Sequence, residues 1–175
     1  MNEPLEADLD RFDWRIIEEL SLDGRMPVTT LADRVGLTKT PCQVRLKRLV
    51  ESGVIRGFRA VIDPRRIGRE HVAFVEVKLS DTTEPALAAF NDAAAALPEI
   101  EQCHMIAGPF DYLLKVRTRD ISGYRRVLGE KLSALPHVAN TSTYVSLEAV
   151  KDTSVEAPRL SPVAGRAVSR LSRRD

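Results

Sequence analysis

Apolar residues recur at intervals of three and four over the first third of the chain. Leu9, Phe12, Ile16, Ile17 and Leu20 fall on one face of a helix. Asp8 or Asp10 caps its start, where a carboxylate accepts from orphan amides and suits the helix dipole. Asp23-Gly24 ends it in a turn. A second, shorter helix carries Leu31, Ala32 and Val35, with Thr29 as its expected cap and Gly36 as its stop. A third starts at Thr38 or Thr40 and takes Pro41 in its first turn, where the missing N–H costs nothing. It turns Cys42, Leu46, Leu49 and Val50 inward and closes at Gly53. Two helices joined by a four-residue turn around Gly36 form the helix-turn-helix pattern.

Beyond Gly53 the period changes. Val54-Ile55 and then Phe58 to Ile62 read as a β wing or a linker strand that ends at Asp63-Pro64. Strands are predicted at Val72–Leu79, Ile100–Ile106, Tyr112–Arg117 and Val138–Leu147. Between them, Leu87, Phe90, Ala94 and Leu97 stripe one helix, which starts near Glu84-Pro85 and ends at Pro98. Ile121, Tyr124, Leu128, Leu132 and Leu135 stripe another, ending at Pro136. The fold class is α+β: an N-terminal winged helix-turn-helix plus a C-terminal ferredoxin-like βαββαβ domain. The expected boundaries are 1–54 for the DNA-binding domain, 55–69 for a linker strand or hinge, 70–151 for the second domain and 152–175 for a disordered basic tail. Phe74 beside Val75, and Leu113 beside Leu114, put apolar side chains on both sheet faces. Helices cover only one face of such a sheet, so a second copy of the chain is the expected cover for the other.

Composition adds limits. The chain has 175 residues, is 43% hydrophobic and 29% charged, and carries a formal charge of +1, so any sign of a nucleic-acid partner must be local. It is local: acidic residues crowd 1–20, whereas 45–69 holds Arg45, Lys47, Arg48, Arg56, Arg59, Arg65, Arg66 and Arg69 against Glu51 and Asp63. Cys42 and Cys103 stand far apart outside any Cys-x-x-Cys pair, which argues against a disulfide framework or zinc site and fits a reducing cytoplasm. No run approaches the ~20 apolar residues of a membrane span, and the acidic N-terminus lacks a signal core. No Ser/His/Asp set, phosphate loop or close carboxylate pair stands out, so the chain is not expected to be an enzyme, and no cofactor or metal is expected.

A recognition helix sets its N-terminal half in the major groove. Thr38, Lys39, Thr40, Gln43, Val44, Lys47 and Arg48 are the expected outer positions of the third helix. Gln bonds adenine in two places, Lys bonds guanine acceptors, and Thr and Val offer methyls to thymine. Lys47, Arg48, Arg56 and Arg59 suit phosphates, which fix register without reading sequence. Arg45 either reaches a phosphate or ties the third helix to its neighbours.

With these residues in place the chain resembles the Lrp/AsnC family of transcriptional regulators, the leucine-responsive or feast/famine regulators, over about residues 9–151. The markers are Leu9-Asp10 with Asp13, Ile16, Ile17 and Leu20; Asp23-Gly24-Arg25; Leu31-Ala32 with Val35-Gly36-Leu37; Thr40-Pro41-Cys42 with Arg45, Arg48 and Leu49; Gly53-Val54-Ile55; Asp63-Pro64; Gly108 with Phe110 to Lys115; and Tyr144. Trp14, Val44 and the arginine-rich extension after Lys151 depart from the pattern. The resemblance implies duplex DNA as partner, an amino-acid effector bound between C-terminal domains, and homodimers assembling into octamers or similar rings. Proline and leucine are the first effectors to consider.

The family's ligand loop falls on Gly108-Pro109-Phe110-Asp111-Tyr112. Asp111 suits a ligand ammonium, Gly108 permits close backbone approach, and the turn's amides suit a carboxylate. Equally, Asp111 serves only to hold a β-turn. The resemblance adds Thr141, Thr143 and Tyr144 of the last strand, although plain strand positions explain both threonines. His104 and Met105 line the same cleft, unless His104 is simply packed in an interface. A rival reading is an architectural chromatin protein of the same fold that senses no ligand.

Overall fold

The computed structural model describes residues 9–152. They fall into two units, the first ending at Val61 and the second running from Ile62 to Asp152. The first unit holds α1 (Arg11–Leu22), α2 (Val28–Val35) and α3 (Lys39–Glu51). Asp10 caps α1, accepting from the Phe12 amide at 2.8 Å and the Asp13 amide at 3.1 Å, while Asp13 reaches back to the Asp10 amide in a reciprocal capping box. Gly36 ends α2 at φ 76°, the left-handed conformation that glycine adopts without a Cβ penalty. Ile16, Leu20, Leu31, Ala32, Val35, Cys42 and Leu49 form the core of this unit.

Three sequence expectations fail here. Thr29 lies inside α2 rather than at its cap. The Pro27 carbonyl takes the first helical bond, from the Leu31 amide at 2.9 Å, so the helix begins two residues earlier. Val50 is 42% exposed, because α3 meets its neighbours through Cys42 and Leu49 alone among fully buried residues. Residues 54–62 are unpaired, so the wing segment carries no strand; nothing among the described residues lies alongside to complete a ladder. Asp63 caps a single 3₁₀ turn, Pro64–Ile67.

The second unit holds β1 (His71–Leu79), α4 (Glu84–Ala95), β2 (Ile100–Met105), β3 (Tyr112–Thr118), α5 (Ile121–Val127) and β4 (Val138–Val145). A π-helical turn, Leu128–Leu132, continues α5. The strand order is β2-β3-β1-β4 and every pair is antiparallel, the ferredoxin-like arrangement. Alternation fixes the faces. Ala73, Val75 and Val77 of β1 and Tyr112, Leu114 and Val116 of β3 pack with Phe90, Ala94, Tyr124, Leu132 and Leu135. Ile121, expected in this stripe, is 56% exposed, because it opens α5 next to its Asp120 cap.

The opposite sheet face keeps Phe74 at 37% and Tyr144 at 54% exposure. It also carries Lys115, which bonds Asp152 at 2.9 Å, and Arg117, which pairs with Glu101. Asp152, expected to begin the tail, is thus anchored to β3. The rest of the expected tail, with Arg159, Arg166, Arg170, Arg173 and Arg174, lies outside the described residues. No helix among the described residues is long and apolar enough to cross a membrane.

Candidate functional site

The outer face of α3 is built as its sequence pattern requires. Thr38, Lys39, Thr40, Gln43, Val44 and Lys47 are all exposed, and so is Arg56 beyond the helix. Val44 shows 63% of its surface to solvent on an otherwise polar face. A β-branched methyl pair held in water contributes nothing to the core, whereas it matches the methyl of thymine.

Arg45 and Arg48 behave differently. Arg45 bonds Asp13 at 3.0 Å and Asp10 at 2.7 Å, and lies over the Phe12 ring. Arg48 turns one nitrogen to the other Asp13 oxygen. Arg45 is therefore tied to α1, one of its two expected roles. Arg48 keeps 55% of its side chain exposed and faces both ways. The Asp13 and Asp10 carboxylates push the Arg45 guanidinium further above its ordinary range. Partial desolvation pushes the Asp10 carboxyl up, but the Asp13 amide, Arg45 and the Phe12 amide outweigh it and hold the carboxyl below the usual range.

Asp13 itself is fully buried, and its role was missed in the sequence. The signal was there. Leu9, Asp13, Ile16 and Leu20 share one helical stripe, and a carboxylate on a buried stripe demands a cation.

In the second unit the loop between β2 and β3 is fixed by Asp111. Its amide donates to the Val77 carbonyl at 2.9 Å, and its carbonyl accepts from the Ile106 amide at 2.9 Å. One carboxylate oxygen accepts from the Leu79 amide at 2.7 Å and the other from Lys78 at 3.0 Å. The Leu79 amide, against some desolvation and with help from Lys78, holds this carboxyl below its ordinary value. Gly108 is exposed and not left-handed, and an added Cβ would meet only the Ile106 side chain at 3.5 Å. Nothing among the described residues requires glycine there.

The remaining expected ligand residues divide between the faces. Met105, Tyr112, Val77 and Thr141 form one row across all four strands. Thr143 lies on the same, helix-covered face and hydrogen-bonds the Tyr124 hydroxyl at 2.5 Å. Tyr112 is 1% exposed and packs on Phe90 with ring centroids 4.4 Å apart. His104 pairs with Leu113 and Tyr144 with Phe74 on the opposite face, where the Tyr144 hydroxyl donates to Glu76 at 3.3 Å. One copy of the chain does not gather these residues into one cleft.

A helix-turn-helix with an exposed polar reading face, joined to a small α+β domain, defines a DNA-binding transcriptional regulator with a separate ligand-binding domain. Residues 9–56 match the family model described as winged helix-turn-helix DNA-binding, and residues 72–156 match the Lrp/AsnC ligand binding domain. The chain belongs to the Lrp/AsnC family of transcriptional regulators, and this family is not one of enzymes. It is 64% identical to a proline dehydrogenase transcriptional activator from Rhizobium radiobacter, over 85% of this chain and 95% of the relative. It is 44% identical to the leucine-responsive regulatory protein of Escherichia coli K12, over 84% of this chain and 90% of that one. Among solved structures it is similar to a Neisseria meningitidis transcriptional regulator in complex with L-Met. The TM-score is 0.79 at 26% identity, covering 87% of this chain and 96% of that one.

Proposed function

We propose that this protein controls the genes of proline breakdown and that an amino acid, proline foremost, alters its grip on DNA. The observation that carries this reading is its similarity to two proline dehydrogenase transcriptional activators. They are 64% and 56% identical over 95% and 92% of their lengths, against 44% for the leucine-responsive regulatory protein. The L-Met in the similar Neisseria regulator supports an amino acid as the ligand class.

On this reading Thr38, Lys39, Thr40, Gln43 and Val44 meet base edges, while Lys47, Arg48 and Arg56 meet phosphates. Two copies present their α3 helices to half-sites roughly 34 Å apart, in the cytoplasm. Pairs of chains assemble further, towards an octamer or a similar ring. The effector meets the loop at Gly108, whose amides suit its carboxylate, with Asp111 holding that loop in place. Met105, Tyr112, Thr141 and Thr143 approach from one sheet face. His104 and Tyr144 belong to the opposite face and reach the ligand only from another copy. A ligand shifts DNA binding only through different affinities for two states.

Gel shifts on the DNA upstream of the organism's own proline dehydrogenase gene, across an amino-acid panel, test the proposal. Retention that changes with proline more than with leucine or methionine is expected. Absence of retention, or retention indifferent to every amino acid, overturns it.

A further inference from the structure

Two of the arginines expected on DNA converge instead on one buried carboxylate. Asp13 accepts from the Asp10 amide at 3.1 Å, from Arg45 at 3.0 Å and from Arg48. Arg45 is held in addition by Asp10. A carboxylate stripped of water persists only when it is paired and hydrogen-bonded, so the positions of Arg45 and Arg48 on α3 are dictated by α1. The apolar attachment of α3 is thin. Cys42 and Leu49 are its fully buried residues, and Leu46 packs against the same core only half-buried. The ion cluster adds a polar point of attachment. It lies one helical turn from Cys42 and Leu49, beside Val44 and Lys47 on the outer face.

We propose that Asp13 is the positioning residue of the DNA-reading helix. It sets the rotation that presents Gln43, Val44 and Lys39. By engaging Arg45 and one arm of Arg48, it also withholds positive charge from phosphates, which lowers binding to DNA of any sequence relative to the operator. This rests on the reading that α3 enters the groove.

The test uses the full chain, an operator duplex and a scrambled duplex of equal length, titrated with salt. Asp13→Asn removes the charge but keeps a similar shape. Operator preference is expected to fall about tenfold. On the scrambled duplex, the slope of log affinity against log salt is expected to steepen by about one, as one arginine charge no longer balanced by Asp13 is freed for a phosphate. Trp14 fluorescence and far-ultraviolet dichroism report folding. Where Asp13→Asn does not fold, Arg45→Lys carries the test. It retains the charge but lacks the planar guanidinium, which meets Asp10 and Asp13 through one nitrogen while lying over the Phe12 ring, and the same loss of preference is expected. Unchanged preference in a folded variant, parallel weakening on both duplexes at constant slope, or failure of both variants to fold each overturns the proposal. A wild-type chain that does not distinguish the two duplexes overturns the groove-reading assignment itself.

Discussion

Replacing Asp111 should loosen the C-terminal domain and leave the N-terminal one alone. The carboxylate is 18% exposed and bridges the loop to the end of β1. In Asp111→Ala the part-buried Leu79 amide loses its acceptor, and an orphaned buried donor costs about 1–3 kcal/mol. The Lys78 pair is half exposed and adds less than about 1 kcal/mol. The expected cost is therefore about 2 kcal/mol for alanine and about half that for Asp111→Asn, which leaves an oxygen for Leu79. The chain provides its own pair of probes. Its single tryptophan, Trp14, lies in the first unit, and its three tyrosines, Tyr112, Tyr124 and Tyr144, all lie in the second. Urea unfolding followed by tyrosine near-ultraviolet dichroism should shift to lower urea, while the Trp14 fluorescence transition stays in place. Equal costs for alanine and asparagine, or a tyrosine transition that does not move, would refute the argument that the Leu79 bond dominates.

Other substitutions act on the first unit. Gly36→Ala has open space around the new Cβ but must hold φ at 76°, so it should cost about 1–2 kcal/mol, read as a lower urea midpoint for Trp14; an unmoved midpoint rejects the strain argument. Gln43→Ala should relax preference at one base position, and Lys47→Ala should weaken all duplexes alike with a salt slope smaller by about one; binding titrations showing the reverse would exchange their roles. Acid should weaken the second unit. Lys131, against some desolvation, holds Glu99 below its usual range, as the Leu79 amide does Asp111. Folding favours both charged forms, so their stabilisation is complete above the ordinary carboxylate range and is lost as pH falls through the lowered values. The tyrosine-monitored midpoint should therefore drop below about pH 4, and a midpoint flat down to about pH 2 would count against it.

Much of the fold was legible because its periodicities are clean. Positions three and four apart located α1, α2 and α3, and alternation located the four strands within a residue or two. The failures share a cause: the pattern records which residues are apolar, not whether a surface exists to receive them. Val50 and Ile121 have the right spacing but sit where α3 and α5 have no neighbour to cover them. Phe58 to Ile62 have strand composition, yet a strand exists only through a partner, and none lies beside that segment among the described residues. Thr29 was displaced because the helix already starts after Pro27, whose carbonyl takes the first helical bond, and no side chain caps that end.

The two candidate sites differed in legibility for a physical reason. A recognition helix displays its chemistry along one element, so helical spacing alone brought Lys39, Gln43, Val44 and Lys47 to one surface. The charge balance within it could not be read that way, because Asp13 lies 32 residues from Arg45 and only the packing of α1 on α3 joins them. The residues proposed for the ligand come from β2, the following loop, β3 and β4, and strand alternation sends neighbours such as His104 and Met105 to opposite faces. A sequence motif places residues near one another along the chain without saying on which side of a sheet they emerge. For His104 and Tyr144 to share a ligand with Met105 and Thr141, the missing half of the cleft must come from another chain. Under the proposed function, that requirement couples ligand binding to self-association.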